Sequence, residues 1–130
     1  MGRTSLATQR NARSMTGMRI GSVVFSGKSG EDYRFEVWPM ETRFKPAAAV
    51  YFVTKREAQG GTFNRAAHEH LYLGHTPDIS APLGTDAQIA WFNASGANCV
   101  CLYATESEPR RAAIKKDLEG AAVHYRAANL

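Results

Sequence analysis

Two short runs of large apolar residues, at positions 49–53 (Ala-Val-Tyr-Phe-Val) and 70–74 (His-Leu-Tyr-Leu-Gly), flank a polar insert that carries Gly60 and Gly61. This pairing constrains the fold more than any other feature of the chain. Val50, Tyr51, Phe52 and Val53 are β-branched or aromatic at every position. A strand with one wet face would alternate, so this one is expected to be covered on both faces and central in its sheet. The second run is a shorter strand that stops at Gly74. The two glycines supply the φ > 0 positions a connection needs, so the runs are expected to pair as an antiparallel hairpin with a long loop. Tyr51 and Tyr72 then lie near each other on neighbouring strands.

The flanking sequence supplies further elements. Residues 20–25 and 33–38 bracket Ser26-Gly27-Lys28-Ser29-Gly30, and the second run alternates Tyr33, Phe35 and Val37 with Arg34 and Glu36. That pattern predicts a half-exposed hairpin. Its Gly-Lys-Ser triplet lacks the earlier glycine of a phosphate-binding loop, because position 22 is Ser, and no helical run follows; it reads as a hairpin tip. Pro77, Pro82 and Gly84 predict a loop after the second tyrosine strand. Residues 85–95 predict a helix, with a Thr85/Gln88 capping box, an apolar stripe of Ile89, Trp91 and Phe92, and Gly96 at the C′ position. Residues 98–103 predict a third core strand. Ser107 is placed to cap a last helix, with Pro109 in its first turn and Ile114, Leu118, Ala121, Ala122 and Tyr125 at helical spacing. There is no internal repeat. The expected fold class is α+β: a small, mainly antiparallel sheet with flanking helices.

At 130 residues the chain has room for one domain, and 44% apolar content is ordinary for a globular protein. Residues 1–18 have few large apolar side chains and no periodicity, so they are expected to be a disordered basic tail, with a single domain over 19–130. The net charge of +4 is unevenly held: the first 30 residues contain Arg3, Arg10, Arg13, Arg19 and Lys28 and no acid, whereas the remainder carries 11 basic and 12 acidic groups. Arg3, Arg10, Arg13 and Arg19 are therefore the candidate nucleic-acid contacts, on an arm that grips phosphates. An acid-free organelle presequence and a plain extension are the other readings of this segment. No apolar run is long enough to span a bilayer and no secretory signal opens the chain, so a soluble, cytoplasmic protein is expected. Cys99 and Cys101 are one residue apart on a predicted strand, where geometry disfavours a mutual disulfide, and a reducing compartment fits.

Ala49-Val50-Tyr51 and Tyr72-Leu73-Gly74, followed by Thr76 and Asp78-Ile79, resemble the GIY-YIG endonuclease domain, in which a Gly-Ile-Tyr strand and a Tyr-Ile-Gly strand form a hairpin. The resemblance covers about the last 80 residues. It implies catalysis of phosphodiester cleavage by two tyrosines, an arginine on the helix after the second strand, a metal-binding glutamate on a later helix and an asparagine near the end. Tyr51 and Tyr72 match the tyrosines and Asn129 the asparagine, but Pro82 stands at the arginine and Lys115 at the glutamate. The tyrosines are also 21 positions apart, a longer spacing than the family's, and the first glycine is Ala49. Proline cannot stabilise charge on phosphate, and an ammonium cannot hold Mg²⁺. The resemblance thus implies an impaired member without a metal cofactor, serving as a binding or interaction module.

Two other readings stand beside this one. His75 just after the second tyrosine is a candidate base, and Glu119, one turn from Lys115, could hold Mg²⁺ in an active enzyme with relocated groups; Glu119 is more simply an i,i+4 partner of Lys115. A structural or assembly protein with no nucleic-acid role is the third class. His68 and His70 with Cys99 and Cys101 form a conceivable zinc set, but without the spacing of a zinc knuckle, and buried unligated cysteines are expected instead.

Overall fold

The computed structural model describes residues 18–59 and 62–128. Within them the elements run β1 (Gly21–Ser26), β2 (Asp32–Pro39), β3 (Ala49–Gln59), β4 (Thr62–Thr76), α1 (Asp86–Ala94), β5 (Cys99–Ala104) and α2 (Glu108–Ala128). The strands form one antiparallel sheet in the order β1-β2-β5-β3-β4. The molecule is α+β, as expected.

β3 is paired on both edges, and Val50, Tyr51, Phe52 and Val53 are each 5% exposed or less. The period-2 alternation of a strand divides these four between two cores. Val50 and Phe52 join Phe35, Cys101, Ile114 and Leu118 under α2, while Tyr51 and Val53 join Val100, Ile79 and Phe92 under α1. The sheet is strongly coiled. Phe25 of β1 reaches Phe52 at 4.8 Å and His70 of β4 at 4.9 Å between ring centroids, although β2, β5 and β3 separate the two edge strands. Four strand spacings in a flat sheet would hold those backbones roughly 19 Å apart.

The connection between the tyrosine strands differs from the long loop expected. β3 continues to Gln59 and β4 starts at Thr62, so the polar insert is itself paired, as far as Gln59 opposite Thr62. β5 accompanies β3 only from Ala49 to Thr54; beyond it the hairpin runs on as a two-stranded ribbon. Such a ribbon need not bury either face, so its sequence carries no apolar alternation to reveal it. Asn98 stands where β5 gives out: its Oδ1 accepts from the Arg56 N–H at 2.8 Å and its Nδ2 donates to the Arg56 carbonyl at 3.1 Å, supplying with a side chain the bonds a further strand residue would make. A bulge at Leu71 shifts the register between Val53, opposite Tyr72, and Thr54, opposite His70.

α1 begins at the predicted capping box, with Thr85 and Gln88 bonded reciprocally, and Gly96 follows its end at φ 86°. Ile89 and Phe92 face the sheet, but Trp91 does not: it is 52% exposed. At about 100° per residue, Trp91 lies some 200° round the helix from Ile89, so a stripe cannot hold both. In α2, Ser107 accepts from the Arg110 N–H at 3.2 Å, and Ile114 and Leu118 are buried against the sheet. Ala122 and Tyr125, expected on the same stripe, have side chains outside the described set. The Gly-Lys-Ser triplet is a hairpin tip, and α2 holds it down. The Asp117 carboxylate accepts from the Ser29 N–H (2.8 Å), the Ser29 hydroxyl (2.7 Å) and the Tyr33 hydroxyl (2.9 Å). Gly27 lies so close that a Cβ there would fall 1.9 Å from Asp117 Oδ2.

Candidate functional site

The tyrosine hairpin places Tyr51 opposite Gly74 and Tyr72 opposite Val53, which puts both rings on the α1 face with centroids 6.1 Å apart. Gly74 makes this possible. A Cβ at that position would come within 2.8 Å of the Tyr51 hydroxyl and 2.9 Å of Tyr72 Cε2, so both rings pack down over bare backbone. Tyr72 also meets Phe92 at 5.7 Å and stays 37% exposed, whereas Tyr51 is buried and donates its hydroxyl to the Leu83 carbonyl at 3.2 Å. Burial, reinforced by Tyr72, pushes the Tyr51 phenol up to about 12. At neutral pH it is a donor committed to the loop before α1 and has no capacity to take a proton. Tyr72 is the solvent-facing member.

The other expected site residues fall as follows. Pro82 is an exposed residue of the loop that precedes α1. Lys115 lies on α2, whose Ile114 and Leu118 pack on the other face of the sheet, and its Nζ is 2.6 Å from Glu119, the i,i+4 pair the sequence suggests. His75 is opposite Val50 and thus on the α2 face, across the strand from the tyrosine pair; its Nδ1 is buried with no protein partner. Asn129, Arg3, Arg10 and Arg13 lie outside the described residues. Arg19 is exposed at the edge of the sheet, 3.4 Å from Glu36.

The zinc candidates meet only in part. His68 Nδ1 is 2.9 Å from Thr54 Oγ1 and 4.0 Å from Cys101 Sγ, and among the described residues no three His, Cys, Asp or Glu side chains converge on a metal position. Burial lowers His68 to about 4, with Arg56 adding to the effect, and burial pushes Cys101 up to about 12. Both groups are therefore neutral, and the cluster is a packed polar contact inside the core. Cys99 and Cys101 are both free and buried.

Sequence reasoning missed a groove of about 780 Å³ on the α1 side, between the β2–β3 connection, the 79–83 loop and α1. Met40, Phe44, Ile79, Leu83 and Ile89 give it apolar walls, and Thr42 contributes to its lining. It adjoins the tyrosine pair through Leu83, whose carbonyl Tyr51 holds. No periodic pattern marks such a site, because its walls come from two regions far apart in the chain, residues 40–44 and residues between 79 and 98. Among the described residues no helix is long and apolar enough to cross a membrane. A scan against protein-family models, a search of curated proteins and a search of solved structures each returned no match.

Proposed function

We propose that the chain is a catalytically impaired GIY-YIG-like domain that acts as a binding module, with nucleic acid engaged through the basic N-terminal arm. The observation that carries this reading is the packing of Tyr51 and Tyr72 side by side over Gly74 on adjacent antiparallel strands, which agrees with the hairpin that the resemblance implies. Loss of activity is supported by three features around it. Tyr51 is tied to a backbone carbonyl, Pro82 offers no charge to a phosphorane, and Lys115, which stands where the resemblance expects a metal-binding glutamate, is paired with Glu119 on a helix across the sheet from the tyrosines. The free, buried thiols suit a reducing, cytoplasmic setting.

The test is a cleavage assay with Mg²⁺ or Mn²⁺ on single- and double-stranded DNA and RNA. No turnover above background is expected. Turnover that disappears in Tyr72→Phe would establish a working nuclease with relocated groups and refute the impaired reading.

A further inference from the structure

We draw no further inference here: the strongest candidate, the apolar groove between the β2–β3 connection, the 79–83 loop and α1, carries none because nothing in the structure shows what covers it.

Discussion

His68 shows how one buried side chain can make the whole fold sensitive to acid. It sits between Thr54, Cys101 and the ring of Phe25, 6% exposed, and burial holds it neutral down to about pH 4. The unfolded chain takes up the same proton near 6.5, so below that value protonation favours the unfolded state. Stability from this residue is fully present above pH 6.5 and is lost as pH falls through 4, to a total on the order of 3 kcal/mol. Urea unfolding between pH 7 and 4 should show the midpoint falling over this window, and His68→Gln should flatten it. An unchanged slope in the variant would mean that other groups carry the acid response. At this scale the sequence disclosed pairs whose spacing sets their geometry, such as Lys115 with Glu119 and Tyr51 with Tyr72. It was silent on Thr54 with His68 and on Asp117 with Ser29, because contacts between residues 14 and 88 positions apart leave no local pattern.

Among the elements, α2 owes its place to burial more than to charge. Leu118 is 2% exposed in the core under the helix, so Leu118→Ala should cost roughly 2 to 4 kcal/mol by removing buried methyl groups and leaving a cavity. Lys115→Ala should cost less than about 1 kcal/mol, because its pair with Glu119 is open to solvent. Denaturant titration of both variants separates the two terms, and equally mild effects would mean that the helix is not held by its apolar stripe. Elements with end signals were readable: the capping box of α1, the serine ahead of α2 and the glycine after α1 each mark a boundary by local chemistry. The ribbon was not readable, since residues 54–69 carry no apolar alternation and resemble a loop in composition. Trp91 was misplaced because adjacent aromatics suggest a stripe only if helical phase is ignored.

For the whole molecule, the proposed affinity for nucleic acid is expected to depend on residues 1–19, because the basic excess of the sequence lies there. Four arginines, Arg3, Arg10, Arg13 and Arg19, each neutralising a phosphate, give a log–log salt slope of about −3.6 on duplex DNA with little dependence on sequence. Deleting residues 1–18 should remove three of the four and most of the slope; a truncated protein with undiminished binding would move the site onto the folded domain. The fold class, the tyrosine hairpin and the core strand at residues 99–104 were legible from apolar runs, but the strand order was not. Which edges meet depends on partners far apart in the chain, and no run of residues states that β5 lies between β2 and β3. That placement has a consequence for synthesis. The β1–β2 and β3–β4 hairpins are complete by residue 76, yet they share no edge until residues 99–104 arrive to join them. A nascent chain, or one cut short by a premature stop before Cys99, exposes two unpaired strand edges beside Val37, Trp38 and Val50 to Val53 at once. Such a fragment is a candidate for aggregation and proteolysis, because the strand that joins the two hairpins lies in the last quarter of the chain.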